Sequence, residues 1–244
     1  FKGCNKIKNV TLKNVKTNII SYTSSMFEGC TSLSDIKFDN TNISDITNTS
    51  KMFKDCSSLN TIEIEDFSTN KVKDMSQMFD GCSSFNDITF IEGLSTNNTE
   101  NMNEMFSGCS NIKSLDLSGY DTSNVKDMSG MFKGMSSLKD LEISSFNTEK
   151  VEYMNEMFES CYSIKSLNLS KFNTEKVIDM NRMFSDCSQL IYLNISSFNL
   201  SNCKNTTDVI SNTTELLLLS LENDEIINKT IIPQKESIEI LIIE

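Results

Sequence analysis

Seven of the eight cysteines recur at one position of a repeated sequence pattern, and they are the residues most able to do chemistry. Neighbours in this column are 26, 27 or 52 residues apart, whereas paired zinc ligands are usually two to four residues apart. The chain also has no histidine, the commonest metal ligand. We therefore predict no metal and no cofactor at the column of Cys4, Cys30, Cys56, Cys82, Cys109, Cys161 and Cys187.

A disulfide between neighbouring repeats is the alternative use of this column. Equivalent Cα atoms in stacked repeats lie about 5 Å apart, which a disulfide accepts, but parallel stacking points both side chains the same way and opposes its dihedral. In DMSGMFKGMSSL, Met135 occupies the position that Cys187 has in DMNRMFSDCSQL. Because methionine and reduced cysteine both fill apolar space, we predict a buried packing site of free thiols, with one or two regulatory disulfides as the alternative.

The charge balance restricts the partners. The chain has 34 acidic and 22 basic residues, a formal charge of −12. Surfaces that bind nucleic acid or anionic lipid need an excess of Lys and Arg, so we predict no nucleic acid and no membrane surface as partner. Its apolar runs are too short to cross a bilayer. The lack of histidine removes Ser-His-Asp and Cys-His catalysis, and carboxylates pair only along strands without a distinct pocket, so we predict no enzyme.

A Met-Phe pair marks seven successive repeats and sets the period at 26 residues, with one interval of 27 between Phe79 and Phe106. A unit of this length cannot bury its own apolar side, so the units must stack. We therefore expect the phenylalanines to form a file in the core, beside the cysteines: Phe27, Phe53, Phe79, Phe106, Phe132, Phe158 and Phe184. The extra residue, within IEGLSTNNTEN, is expected to form a small surface bulge.

A second apolar pattern, L-x-x-L-x-L, is in phase with the first and alternates with the period of a β-strand. It includes Phe85, Ile88 and Phe90, for which a strand is expected as in the other repeats. Val125, Met128, Met131 and Phe132 are spaced instead for a short helical or 3₁₀ turn. The pattern predicts an α/β solenoid of about nine coils, with a parallel sheet on one face and short turns on the other. We expect the solenoid over residues 1–221 and a C-terminal capping strand or coil over residues 222–244.

The sequence M-x-x-M-F-x-G-C-x-S-L-x-x-L-x-L resembles the repeat of the BspA-like leucine-rich-repeat surface proteins, a family that includes mycoplasma-type lipoproteins. The clearest copy is MNEMFSGCSNIKSLDLSGYDTSNVKDM, which begins at Met102. The resemblance extends from Phe1 to about Leu221. It implies a solenoid that is exposed at a cell surface or secreted, acts in adhesion or host contact, and has no catalytic residues.

Outward-pointing strand residues form a polar face that varies from repeat to repeat. Solenoids commonly bind partners on such a face, and its variation suits an irregular protein surface better than a periodic polymer. We expect a protein partner, from a host or from a neighbouring surface protein, and a homo-oligomer or larger assembly is a further expectation. The alternative function is an architectural spacer. The proposed contact residues are Lys37, Glu63, Asp116, Glu142, Asn168, Asn194 and Tyr192.

Glycosylation and localisation are further expectations. Ten N-x-S/T sequences occur, and Asn97 and Asn228 are the two that we keep as glycan acceptors. Because Phe1 lies inside a repeat, any targeting sequence is expected upstream of it, and the array is expected either to end in the capping strand or to continue beyond Glu244. The family resemblance favours an extracellular or cell-surface location, whereas a column of reduced thiols favours the cytosol weakly.

Overall fold

The computed structural model describes residues 1–14, 23–39, 45–64, 67–86, 88–221 and 239–242. It confirms the predicted solenoid, in which short parallel strands line one side and tight turns line the other. The elements, in chain order, are β1 (Asn9–Lys13), β2 (Asp35–Asp39), β3 (Thr61–Ile64), α1 (Ile88–Glu92), β4 (Ser114–Asp116), β5 (Asp140–Glu142), β6 (Ser166–Asn168), β7 (Tyr192–Asn194), β8 (Leu218–Leu221) and β9 (Glu239–Ile242).

Strands pair with a register shift of one whole repeat. Val10 pairs with Ile36 and Ile36 with Ile62, so inward residues remain above inward residues. Strand β9 continues the ladder in parallel beyond β8, with Leu219 opposite Ile240. The rest of the expected capping segment, residues 222–238 and 243–244, lies outside the described residues. Strands thus occur in eight of the nine expected coils, and β9 follows them after a shorter interval.

The sheet is divided into three pieces, β1-β2-β3, β4-β5 and β6-β7-β8-β9. The first break lies at α1, where the expected strand over Phe85, Ile88 and Phe90 is wrong. This repeat carries the extra residue, since Phe79 and Phe106 are 27 residues apart and not 26. A helix rises about 1.5 Å per residue and a strand about 3.3 Å, so the helix absorbs the surplus length that was expected to form a surface bulge.

The turn side is a series of single turns separated by left-handed residues. In the third coil, Met52 N–H donates to the Thr49 carbonyl at 3.1 Å, and Cys56 N–H donates to the Phe53 carbonyl at 3.0 Å. Lys51, at φ 57°, lies in the left-handed region, which stops these 3₁₀-like turns from continuing into a helix. The N–H groups of Lys51 and Phe53 are thereby free to donate to carbonyls of the next coil, at 2.9 and 3.0 Å.

The phenylalanines of the Met-Phe pairs form one continuous stack along the core. From Phe27 to Phe184, successive ring centroids lie between 5.5 Å and 6.2 Å apart, and Phe1 continues the file at 5.4 Å. The rings from Phe27 to Phe184 are fully buried. Offset stacks of this kind stabilise beyond the area that they bury, by about 0.5–1.5 kcal/mol per pair. Each ring is therefore covered by the coils on either side of it.

Buried threonines connect the coils in the segments that follow β4, β5 and β6. The Thr148 hydroxyl donates to the carbonyl of Asn173 at 2.9 Å and accepts from the N–H of the same residue at 2.8 Å. Thr122 bonds Asn147 in the same way, and Thr174 bonds Asn199. Each hydroxyl thus does for the next coil what a backbone amide and carbonyl do in a β-ladder. A further ladder of single β-bridges joins seven coils from Asn48 to Asn205.

Replacing Thr148 by valine should show what this hydroxyl contributes. Thr148→Val keeps the shape but leaves the Asn173 N–H and carbonyl without their partner, so we expect the free energy of unfolding to fall by about 1–3 kcal/mol. Thr148→Ser keeps the hydroxyl and should cost below about 1 kcal/mol for the lost methyl group. Urea unfolding followed by circular dichroism measures both. Equal stability of the two variants would show that the hydroxyl bonds contribute nothing.

Candidate functional site

The cysteine column is a series of thiols bonded to the backbone of the preceding coil. The Cys161 thiol donates to the carbonyl of Phe132 at 3.1 Å, and the Cys187 thiol donates to that of Phe158 at 3.1 Å. The same bond recurs at 3.0–3.2 Å for Cys30, Cys56, Cys82 and Cys109. The slot is therefore more than apolar packing, because a weak donor at this place meets a carbonyl of the stack.

Burial keeps these thiols in their protonated, unreactive form. It raises the pKa of Cys56 and of Cys187 to about 12, and it raises the pKa of Cys82, Cys109 and Cys161 above the usual value of a thiol. The seven column cysteines form no disulfide with one another. Since the thiolate is both the nucleophile and the metal ligand, this column is unsuited to either chemistry. Among the described residues, no three His, Cys, Asp or Glu side chains are grouped to hold a metal ion.

The two exceptions in the column show what the slot tolerates. Met135 is fully buried there and has no hydrogen to donate, so the slot accepts a side chain of suitable volume without the bond. Thr213 is buried in the last coil, and its hydroxyl donates to the Ile210 carbonyl of its own turn at 2.8 Å. The thiol bond is thus a recurring contribution to coil stacking and is dispensable at single positions.

The strand face displays most of the residues proposed as contacts. Lys37, Glu63, Asp116, Glu142 and Asn168 are exposed on successive strands. Tyr192 is half-buried, and Asn194 is only 8% exposed. The Asn194 carboxamide accepts a hydrogen bond from the Ser196 N–H at 3.0 Å, which holds it against the chain. Asn194 therefore presents little surface to a partner.

Side chains at the centre of this face also support the backbone behind each strand. The Asp116 carboxylate accepts the Ser118 N–H at 2.8 Å, and the Glu142 carboxylate accepts the Ser144 N–H at 2.8 Å. Hydrogen bonds from the Ser118 and Ser144 side chains, and then these backbone bonds, lower the pKa of both carboxyls, so both are charged at neutral pH. Asn168 accepts from the Ser170 N–H at 3.1 Å in the same manner. Their polar character was predictable from the repeat, but this local structural use was not.

Charges on the face differ along the solenoid. Lys37 and Glu63 form an ion pair at 2.9 Å across β2 and β3. Asp116 lies opposite Glu142 across β4 and β5, beside Asp140, and none of these three carboxylates forms an ion pair with another described residue. The face therefore has an ion pair in its N-terminal part, beside the exposed carboxylate of Asp35, and an acidic central part.

Two adjoining depressions lie over the acidic part. One, of about 510 Å³, is bordered by Asp116, Lys139, Asp140 and Glu142. The other, of about 280 Å³, lies between β5 and β6 and is bordered by Leu141, Glu142, Ile143, Asn168, Lys171 and Phe172. Both are open, so they suit surface groups of a partner better than an enclosed substrate.

The turn side carries a column of charges that the sequence reasoning missed. The residue after each column phenylalanine alternates in sign over the first four coils, as Lys2, Glu28, Lys54 and Asp80. Lys2 contacts Glu28 at 2.9 Å, and Lys54 forms an ion pair with Asp80. The sequence contains the signal for this column, since each of the four charged residues directly follows a phenylalanine of the repeat.

A second part of this column surrounds a buried carboxylate. The Glu159 side chain, 6% exposed, lies between Lys133, at 2.8 Å, and Arg182 of the next coil. Pairing with two cations compensates for the loss of its hydration. This cluster joins three coils and is a structural element of the turn side.

Of the two expected glycan acceptors, Asn97 is exposed, and Asn228 lies outside the described residues. Thr99, the third residue of the Asn97 sequence, is fully buried, and its hydroxyl donates to the Val72 carbonyl at 3.3 Å. A glycan at Asn97 stays a prediction.

A family model matches the chain twice in succession. The family described as "Mycoplasma protein of unknown function, DUF285" matches residues 1–115 and residues 100–218. The chain belongs to this family. The DUF285 match agrees with the mycoplasma part of the resemblance seen in the sequence, while the more specific BspA-like assignment stays a prediction. No curated protein matches the chain.

Solved structures similar to this DUF285 chain are distant in sequence. An internalin from Listeria monocytogenes is 16% identical with a TM-score of 0.36, and the match covers 89% of this chain and 54% of the internalin. A leucine-rich repeat protein from Bacteroides ovatus is 15% identical with a TM-score of 0.34, and the match covers 100% of this chain and 86% of that protein. TLR13, in a complex with ssRNA13, is 12% identical with a TM-score of 0.29, and the match covers 97% of this chain and 44% of TLR13. The chain thus spans about half the length of the internalin.

None of the helical segments among the described residues is both long enough and apolar enough to cross a lipid bilayer. The single described helix, α1, has five residues.

Thiol titration should separate the buried column from the other cysteines. We expect a thiol reagent such as DTNB to modify Cys4 and Cys203 in the native chain, because only these two are half-buried and not fully buried. All eight should react after denaturation, and intact mass spectrometry counts the adducts. Fewer than eight after denaturation without a reductant would reveal disulfides and contradict the column of free thiols.

The same burial predicts how stability depends on pH. The folded-state pKa of the column thiols is raised above the unfolded value of about 8.5. Above that pH the unfolded chain loses protons that the folded chain keeps, so the free energy of unfolding should decrease from about pH 8.5 upward, while the thiol contribution should be flat between pH 7 and that value. Urea midpoints between pH 7 and pH 9.5 measure this slope.

Cys161→Met, which introduces the side chain that the column already accepts at Met135, is the control for this slope. It removes one buried thiol, so its slope above pH 8.5 should be shallower than that of the unmodified chain, whatever its stability at pH 7. An unchanged slope would show that the column does not titrate as proposed.

Proposed function

We propose that this DUF285 chain is a non-catalytic protein-binding module that uses its strand face. The observation that carries the proposal is the contrast between the two sides of each strand. Inward positions repeat the same apolar type in successive coils and are buried, whereas outward positions change from Lys37 to Glu63, Asp116, Glu142 and Asn168 and are exposed. Stacking of the coils by itself requires only the repeated, buried apolar residues.

The charge of the face indicates the kind of partner. Its exposed carboxylates on β4 and β5 have no ion pair among the described residues, and the whole chain has a formal charge of −12. Such a surface attracts a positively charged patch and speeds its encounter. A protein with a basic patch therefore fits better than nucleic acid, whose phosphates would be repelled.

We further propose that the module acts in adhesion, displayed at a cell surface or secreted. This part rests on the resemblance of the repeat to BspA-like surface proteins. Free thiols persist in an oxidising space when they are protonated and buried, as the column cysteines are. The column is therefore compatible with such a location, although reduced thiols alone favour the cytosol.

Removing charge from the face without disturbing its backbone tests the binding function. Asp116→Asn and Glu142→Gln keep the oxygen that accepts the Ser118 and Ser144 N–H groups, so folding should be retained. We expect the double variant to capture at least about fivefold less of the protein that the unmodified chain retains from a cell-surface extract, with the melting temperature unchanged. Quantitative mass spectrometry of the retained proteins provides the measurement.

The matched control is Glu149→Gln with Glu175→Gln, which removes two exposed charges from a different edge of the solenoid. It should leave capture unchanged. Equal capture by the face variant, the control and the unmodified chain would reject the strand face as the binding surface.

An architectural spacer is the second candidate function. It is favoured by the continuous contacts along the axis, since the phenylalanine file runs from Phe1 to Phe184 without interruption. If the chain is a spacer, the face variants should not affect its function, whereas changes at the terminal coils should impair it. The same capture and melting measurements therefore distinguish the two functions.

A further inference from the structure

We propose that the opening between β5 and β6 receives an arginine-bearing extended segment of the partner protein. This inference rests on the proposed function and assigns the place and the chemistry of contact. The opening is the second break in the sheet: β4 pairs with β5 and β6 pairs with β7, but no pairing joins β5 to β6 among the described residues. Unlike the first break, it contains no helix and no extra residue.

The hydrogen bonds on either side show what is missing. The Lys113 carbonyl accepts the Lys139 N–H at 2.8 Å, and the Lys165 carbonyl accepts the Ile191 N–H at 2.9 Å. The intervening bond, from Lys165 N–H to the Lys139 carbonyl, is absent among the described residues. This leaves one donor and one acceptor unused at the start of the opening.

At the other end of the opening, an inter-coil hydrogen bond is absent in the same way. Leu117 N–H donates to the Glu142 carbonyl at 2.9 Å, and Leu169 N–H donates to the Asn194 carbonyl at 2.8 Å. Ile143 N–H has no corresponding bond to the Asn168 carbonyl within the described chain. These unused backbone groups mark the amides whose signals should report on a ligand at the opening.

The apolar interior is also accessible here. Leu141 is half-buried, whereas its equivalents Leu115, Leu167 and Leu193 are buried. The 280 Å³ depression lies over Leu141, Ile143 and Phe172. This floor suits the methylene groups of a long side chain, which pack on apolar surface while the charged end remains outside.

The rim selects a basic end group. Asp116, Asp140 and Glu142 carry three negative charges beside the opening, and Lys139 and Lys171 also border the depressions. Neither lysine forms an ion pair with these carboxylates in the described structure, although the charge of Lys171 helps to lower the pKa of Glu142. Arginine fits better than lysine, because its planar guanidinium has five donors and can bond two carboxylates while lying flat on an apolar floor.

The width of the opening excludes insertion of a whole strand. Ring centroids of Phe132 and Phe158 lie 5.5 Å apart, and those of Phe146 and Phe172 lie 6.4 Å apart, so the two coils remain neighbours on both sides of the opening. An added strand would need about 9.6 Å, two strand spacings. The segment therefore lies across the outer surface and inserts only its side chain.

Nuclear magnetic resonance of the full ¹⁵N-labelled chain tests the inference. The probe is N-acetyl-arginine N′-methylamide, which carries two peptide groups and one guanidinium. We expect the amide signals of Ile143 and Lys165 to shift on titration, and those of Thr11, Lys37 and Glu63 to remain. The neutral isostere, N-acetyl-citrulline N′-methylamide, should need at least about fivefold more ligand for half saturation, the loss of about 1 kcal/mol of charge interaction.

Variants identify the recognising groups. Asp140→Asn with Glu142→Gln should weaken binding of the arginine probe at least about threefold, and Glu149→Gln should leave its binding unchanged. Equal shifts with the citrulline compound, or shifts spread over all strands, would overturn the assignment.

Amide exchange gives a second readout that needs no ligand. Ile143 and Lys165 should exchange faster than Leu117 and Ile191, and equal protection would show that the opening is closed in solution and overturn the proposal.

The two proposals can fail separately. If the face variants abolish partner capture but the arginine probe shifts no signal at the opening, this inference is wrong and the binding function stands. If the probe binds at the opening but capture is indifferent to the face variants, the site is real as an arginine site while the proposed function is wrong.

Discussion

The structure depends on one constraint: each coil must satisfy its backbone groups and cover its apolar side chains with the next coil. Inter-coil hydrogen bonds recur at strands, at threonine hydroxyls, at the turn amides and at the thiols. All of them join positions about one repeat apart, so a coil in isolation would leave these groups unpaired. Since buried unpaired groups cost more than a single bond gains, the array is stable as a stack and not as separate units.

Much of this stack could be predicted from the period alone. A pattern that repeats every 26 residues places like residues above each other, which is sufficient to expect the phenylalanine file and the parallel strands. The strand expected at Ile88 is a helix in the repeat that carries the single extra residue, and apolar spacing alone does not reveal where that surplus is absorbed. The left-handed residues Lys51, Gln77 and Glu104 were also hidden, because these side chains have no preference for that conformation, whereas Asp55 and the glycines that directly precede column cysteines do favour it.

The candidate face could be predicted in outline but not in detail. Alternation in the strands correctly put Glu63, Asp116 and Glu142 on the outside. It could not show that Asp116 and Glu142 also hold backbone N–H groups, or that Asn194 is nearly covered. These properties arise from the local geometry after the strand, where the same polar side chain can form any of several hydrogen bonds of similar strength. The break between β5 and β6 likewise leaves no mark in the apolar pattern.

The alternating charges beside the phenylalanine file have a consequence for how such a protein can change in length. Repeat arrays commonly gain or lose whole units by recombination. Loss of the unit that carries Glu28 would place Lys2 against Lys54, two like charges in direct contact, whereas loss of that unit together with the following one would place Lys2 against Asp80. Near its N-terminus, the array therefore accommodates the removal of two units more readily than the removal of one.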